Sequence, residues 1–270
     1  MIINRERDKM KPTLEQMSQW AAHAGAILME GLGKQHQIRH KGVTDLVTEM
    51  DKKSEDYLLG EIRSRFPGHA VLTEESGYLD GDDDACWYID PLDGTMNYAH
   101  GIPFFCVSLA FAEQGSIRLG VVYDPVRDEC FTAEKGKGAF LNGQPVRVSD
   151  AGTLIKSLLA TSFPSSEGDL KQIALRNYVH LTGLTQGVRR MGSAALDMVY
   201  VAAGRLDGYW SNSIHTWDIA AGALIIAEAG GIVTDTRGTP AFMQPPCSVL
   251  AASRSMHPII LAEINRNGNM

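Results

Sequence analysis

Apolar residues recur along this 270-residue chain with two different periods, and the two halves use them differently. Leu14, Met17, Ala21, Ala24 and Leu28 fall three or four apart, the spacing of one helix face. Thr13 and Gln16 suit a capping box, and Gly31 and Gly33 mark an end, so a helix is predicted over residues 13–31. A second helix is predicted over residues 48–66, with Leu58, Ile62 and Phe66 on one face and Pro67-Gly68 stopping it. Residues 70–73 form a short strand. Longer strand-like runs at residues 104–112, 117–123 and 129–133 are separated by short turns, which predicts an antiparallel meander.

From Leu158 the rhythm changes. Strand-like segments at residues 158–161, 187–190, 207–210, 232–234 and 249–251 are interleaved with helical ones at 169–181, 193–203, 217–229 and 258–264. Such alternation argues for a layered α/β half. No internal repeat or low-complexity linker interrupts the chain, and residues 149–153 are the weakest point along it. The expectation is a mixed α/β (α+β) protein with one domain over residues 1–270. Its N-terminal half, to about residue 150, and its C-terminal half, about 151–270, would share a sheet-rich core.

Composition narrows the function. Hydrophobic content of 44% and charged content of 21% are ordinary for a globular chain. A net charge of −7 argues against a nucleic-acid groove. No apolar run is long enough to span a bilayer, and the polar first eleven residues lack the apolar core of a signal peptide. Cys86, Cys106, Cys130 and Cys247 make no Cys-x-x-Cys pair and read as free thiols, so a cytoplasmic location is expected. The glycine-rich run Lys135-Gly136-Lys137-Gly138 lacks phosphate-loop spacing and reads as a turn.

Chemistry concentrates in Trp87-Tyr88-Ile89-Asp90-Pro91-Leu92-Asp93-Gly94-Thr95. The apolar run reads as a buried strand ending at Asp90, with Pro91 stopping ladder pairing and Gly94 permitting a bend. Asp90 and Asp93 can then converge, and two carboxylates that close repel unless a cation lies between them. Oxygen donors without a His or Cys cluster favour magnesium, manganese or calcium over zinc. Backbone N–H groups and the Thr95 hydroxyl suit a phosphate beside the metal. Further acids stand apart in sequence. Asp51 lies in the first turn of the second helix, Glu74 follows a strand, and Asp218 begins a helix with Thr216 as candidate cap. Each alone has a structural explanation in turn chemistry, solvated loops or the helix dipole.

Together the segments resemble the inositol monophosphatase family of magnesium-dependent, lithium-sensitive sugar phosphatases. The matching pieces are Asp45-Leu46-Val47-Thr48-Glu49-Met50-Asp51, Leu72-Thr73-Glu74-Glu75-Ser76, and Trp87 to Thr95 with Asn97. They continue with Trp217-Asp218-Ile219-Ala220-Ala221-Gly222 and Glu228-Ala229-Gly230-Gly231. The resemblance implies an α-β-α-β-α layered sandwich, usually a homodimer, acting on a small phosphorylated substrate with two or three magnesium ions. It implies that Glu74, Asp90 and the Leu92 carbonyl hold one ion, that Asp90, Asp93 and Asp218 hold a second, and that Glu74 and water hold a weaker third. Asp51 and Thr95 would activate water, with Glu74 also counted as catalytic. The substrate would meet Asp93, the Gly94 and Thr95 amides, Gly192, Ser193, Ala194 and Asp218. Where the family usually carries a Glu that accepts ring hydroxyls, seven residues before Asp218, this chain has Ser211, and Lys41 is the nearest candidate for a lid lysine. Inositol 1-phosphate or a similar polyol phosphate leads the substrates. Histidinol phosphate, fructose 1,6-bisphosphate, a nucleoside bisphosphate and NADP are alternatives, and a non-catalytic regulatory module is the reading from another class.

Overall fold

The computed structural model describes residues 11–34, 39–40, 46–164 and 168–266. Asp45, Lys41 and most of the basic segment around it lie outside the described residues. Helix α1 (Leu14–Gly31) starts at Thr13, whose hydroxyl accepts from the Gln16 N–H while the Gln16 side chain accepts from the Thr13 N–H. Its predicted stripe is the buried face: Met17, Ala21, Ala24 and Leu28 are fully covered, and each large side chain so buried contributes about 1.5–3 kcal/mol. A two-residue ribbon, β1 (Arg39–His40) and β2 (Leu46–Val47), leads into α2 (Glu49–Arg65), which Thr48 caps.

Eight strands form the first sheet. They are β3 (His69–Thr73), β4 (Gly77–Leu79), β5 (Asp82–Asp93), β6 (Cys106–Glu113), β7 (Ser116–Asp124), β8 (Glu129–Glu134), β9 (Ala139–Leu141) and β10 (Gln144–Pro145). Their order is β10-β9-β8-β7-β6-β5-β3-β4, the predicted meander with β3 added in parallel to β5. Strand β6 buries Val107, Leu109 and Phe111 against α1 and α2, and Cys106 and Ala110 in the cluster on the opposite face. Coverage of both faces explains its unbroken apolar run. The second sheet contains β11 (Leu158–Ser162), β12 (Gly187–Arg189), β13 (Gly208–Ser211), β14 (Ile232–Thr234) and β15 (Val249–Ala252) in the order β12-β11-β13-β15-β14.

Between the sheets lie α5 (Ala194–Ala202) and α6 (Thr216–Glu228), which pack on each other and on both sheets. Helices α4 (Asp169–Thr182) and α7 (His257–Arg266) cover the outer face of the second sheet. A short helix, α3 (Thr95–Ala99), follows β5. The layers therefore run α1/α2, first sheet, α5/α6, second sheet, α4/α7. One buried cluster joins side chains from both sheets, from Phe131 in β8 to Ala160 in β11 and Val249 in β15.

Residues Asp82 to Asp84 form the exposed start of β5, where Asp82 pairs with His69. Two expectations need correction. Pro91 does not end the strand. Asp90 pairs with Ser108 and Asp93 with Cys106, so three steps on β5 oppose two on β6. That is a bulge of one residue, placed where Pro91 has no N–H to give the ladder. The cap of α6 is His215, with Thr216 already helical. The Lys-Gly-Lys-Gly turn is clamped from α6, because Gly136 and Gly138 N–H donate to the Glu228 carboxylate at 2.7 and 2.8 Å.

Helix α6 lies so close to β7 that a Cβ on Gly120 would sit 3.0 Å from the Ala221 carbonyl oxygen. Gly120→Val should therefore push α6 off the sheet and cost about 1–3 kcal/mol. A urea midpoint equal to wild type would contradict this packing.

Candidate active site

The bulge decides where the central carboxylates point. Residues three apart on a regular strand face opposite ways. One extra residue restores the same side, and both Asp90 and Asp93 line a single cavity of about 460 Å³. Glu74 arrives beside them because β3 runs parallel to β5, with Thr73 opposite Ile89 and the Glu74 N–H donating to the Ile89 carbonyl. Asp218 reaches the same cavity from the first turn of α6, its carboxylate accepting from the His215 N–H at 3.1 Å. The backbone of Leu92 and the Gly94-Thr95 turn complete that wall. Gly94 has φ +102°, and any Cβ there would lie 3.0 Å from the Phe104 carbonyl oxygen. It begins α3, whose first N–H groups have no intrahelical acceptor.

Two side chains of α2 hold these loops in place. The Ser54 hydroxyl donates to the Pro91 carbonyl at 2.8 Å. Glu55, fully buried, accepts from Thr73 Oγ1 at 2.7 Å, from the Glu75 and Ser76 N–H groups, and from Ser76 Oγ at 2.6 Å. The loop carrying Glu74 is thus tied to the helix carrying Asp51. Neither Ser54 nor Glu55 stands out in the sequence, where they read as polar positions on a charged helix. Their buried spacing beside Leu58 and Ile62 was the available signal.

Asp51 is fully buried. Its Oδ2 accepts from the Thr48 N–H at 2.9 Å and hydroxyl at 2.6 Å, and its Oδ1 accepts from Thr95 Oγ1 at 2.9 Å. The Thr95 hydroxyl also lies 3.0 Å from the Leu92 carbonyl oxygen, so one proton serves two acceptors. Thr95 lines the cavity and Asp51 stands behind it. Burial pushes the Asp51 carboxyl above its usual pKa, and the bonds from Thr48 and Thr95 oppose the rise.

Asp93 joins the two halves. Its Oδ2 accepts from Ser193 Oγ at 2.6 Å and the Ala195 N–H at 2.7 Å, at the positive end of α5. Ser193 also caps α5, accepting from the Leu196 N–H. Gly192, Ser193 and Ala194 line a second cavity of about 210 Å³ that shares Asp93 and Asp218 with the first. Arg190 and Phe163 border both spaces. Ser211 lies elsewhere: it is fully buried, and its hydroxyl donates to the Ser213 carbonyl at 2.9 Å and accepts from Ser162 Oγ.

Electrostatics separate these acids from ordinary surface carboxylates. Burial raises the Asp90 pKa well above the carboxylate range, and Glu74, Asp93 and Asp218 raise it further. Asp218 is likewise raised well, by burial and then by Asp93 and Glu74. Burial raises Asp93 too, with Ser193 and the α5 amides pulling the other way. Among the described residues no Lys or Arg forms an ion pair with Asp90, Asp93 or Asp218. Nor are three His, Cys, Asp or Glu side chains already gathered around one point as a finished ion cage. The Asp90 and Asp218 carboxyls share a hydrogen bond, and the fit to a hard divalent cation is one of donor chemistry and shared cavity.

Residues 9–269 match the sequence model of the inositol monophosphatase family, and the chain belongs to that family of metal-dependent phosphoric monoester hydrolases. A protein named inositol-1-monophosphatase from Synechocystis sp. is 49% identical over 213 residues, covering 78% of this chain and 74% of that one. A protein named Nus factor SuhB from Pasteurella multocida is 42% identical over 254 residues, covering 93% and 95%. The solved inositol monophosphatase of Anabaena (Nostoc) sp. superposes with a TM-score of 0.82 at 42% identity, covering 94% of this chain and 95% of that one.

Raised carboxyl pKa values mean that the unfolded chain binds fewer protons than the folded one over the interval above the ordinary carboxylate range. Metal-free protein should therefore lose stability as pH rises through those raised values. Thermal midpoints in EDTA should be lower at about pH 8 than the acid site alone would give at about pH 5. A divalent cation that binds there, at about a hundred times its Kd, should restore about 2.7 kcal/mol at the higher pH and less at the lower, because binding expels protons. A cation effect that grows as pH falls would contradict this reading.

Proposed function

We propose that this chain hydrolyses the phosphate monoester of a small polyol, inositol 1-phosphate or a close relative, with magnesium. The observation that carries the reading is the meeting of Glu74, Asp90, Asp93 and Asp218 with Thr95 in one cavity. Glu74, Asp90 and the Leu92 carbonyl would hold one magnesium, Asp90, Asp93 and Asp218 a second, and Glu74 with water a weaker third. Bound there, the ions would acidify an attacking water and stabilise the departing oxygen.

The chain's own groups do the rest. Thr95 Oγ1 donates to Asp51, which leaves its lone pairs to accept from a water in the cavity. As that water loses a proton to Thr95, the Thr95 proton passes to Asp51, whose raised pKa suits it to receive one. The Gly94 and Thr95 amides at the start of α3, with the N-terminal end of α6 on the same cavity, supply positive dipoles for the phosphoryl oxygens. The smaller cavity beyond Asp93 takes the alcohol, against Gly192, Ser193 and Ala194.

Histidinol phosphate, fructose 1,6-bisphosphate and nucleoside bisphosphates keep the same chemistry and are the alternative substrates. A regulatory module without turnover is the remaining alternative. The complete acid set weighs against it, although relatives named Nus factor make a second, assembly role worth testing beside catalysis. The proposal includes a cytoplasmic homodimer, in keeping with four free cysteines.

Phosphate release should be measured across these esters with magnesium, with and without lithium. Asp93→Asn keeps an acceptor for Ser193 and Ala195, so the fold should survive while kcat falls on the order of 10²-fold or more. Thr95→Ala, which cuts Asp51 off from the cavity, should fall comparably. Near-native turnover in either variant, or no release by wild type from any ester, would reject the assignment.

A further inference from the structure

Asp197 is a carboxylate that the phosphoryl machinery leaves unused. It lies one turn into α5, on the wall of the 210 Å³ cavity, and is 1% exposed. Its Oδ1 is sealed from solvent with no hydrogen-bond partner, which is rare for a buried carboxylate oxygen. The neighbouring polar groups are already committed. Ser193 Oγ donates to Asp93, and Ser162 Oγ and Ser211 Oγ bond to each other, with Ser211 donating onward to the Ser213 carbonyl. The positive end of α5 eases the burial of the Asp197 charge but supplies it no hydrogen-bond donor.

Burial, and then Asp93, hold the Asp197 carboxyl well above the usual carboxylate range, and the field of Arg190 across the cavity opposes that rise. Arg190 is exposed and borders both cavities. A cavity with a carboxylate lacking a donor and a guanidinium offering donors matches a neutral hydroxyl, which can donate to one and accept from the other. A plain hydrocarbon would leave the carboxyl unanswered.

We propose that Asp197, assisted by Arg190, recognises a free hydroxyl on the alcohol portion of the substrate, and so selects polyol phosphates over esters lacking one. This rests on the phosphatase reading above and adds a specificity-determining residue to it.

The test compares inositol 1-phosphate with cyclohexyl phosphate, the same ring without hydroxyls, in wild type, Asp197→Asn and Asp197→Leu, each with magnesium. In Asp197→Leu the ratio of kcat/KM between the two esters should fall about ten- to a hundredfold, chiefly through KM for inositol 1-phosphate. Asp197→Asn, which keeps one acceptor oxygen, should fall less. Thermal midpoints of the ligand-free variants should equal or exceed wild type, because a buried carboxyl with an unsatisfied oxygen has been removed. A purely structural Asp197 would instead lower the midpoint and leave the ratio unchanged. An unchanged ratio in both variants overturns the assignment while phosphate release continues. Wild type that releases phosphate from neither ester overturns the inositol-phosphate reading, and this inference with it.

Discussion

A single extra residue in β5 sets the direction of the chemistry. Without the bulge between Asp90 and Asp93, one carboxylate would face the core between the sheets and the other would face α1 and α2. With it, both turn toward the ends of β3 and β5, where Glu74 also emerges. The cost is a cluster of like charges in a half-closed space. Glu74, Asp93 and Asp218 all push the Asp90 pKa upward, and Asp93 and Glu74 do the same to Asp218. Such a cluster is stable as neutral acid or around a cation, and the first state cannot coordinate a metal.

The surroundings resolve how a chain of net charge −7 can accept a phosphate. Capture is local. The first turns of α3 and α6 end on the larger cavity and that of α5 on the smaller, bringing backbone N–H groups and positive dipole ends to two adjoining spaces lined by acids. Asp93 connects this arrangement across the molecule, since its Oδ2 fastens β5 to the start of α5. A displacement of α5 relative to the first sheet would therefore disturb the acids and the smaller cavity together.

Much of this was legible in the order of residues, for identifiable reasons. Capping at Thr13, the meander and the α/β half depend on local spacing, and the structure keeps them. The acids of the site stood next to glycine or at element ends, which local chemistry marks. The bulge was misread because Pro91 was taken as a terminator, when its missing N–H is tolerated at an irregular pair. Thr216 was taken for a cap because its hydroxyl suits the role, whereas His215 occupies it and Asp218 accepts from its N–H. Glu55 and Asp197 could not be singled out at all. Both sit on helices among ordinary residues, and their meaning lies in partners that come from, or are missing from, distant segments. Ser211 shows the reverse: its position suggested substrate contact, and the fold buries its hydroxyl against Ser162 and Ser213.

Manganese offers the most direct view of whether these acids share cations. Crystals soaked in manganese should show anomalous density within coordination distance of Asp90 and Asp93, with Glu74 on one side and Asp218 on the other. That density should disappear in Asp90→Asn crystals that remain isomorphous. Anomalous density confined to the outer surface, with the cavity filled by water alone, would contradict the account.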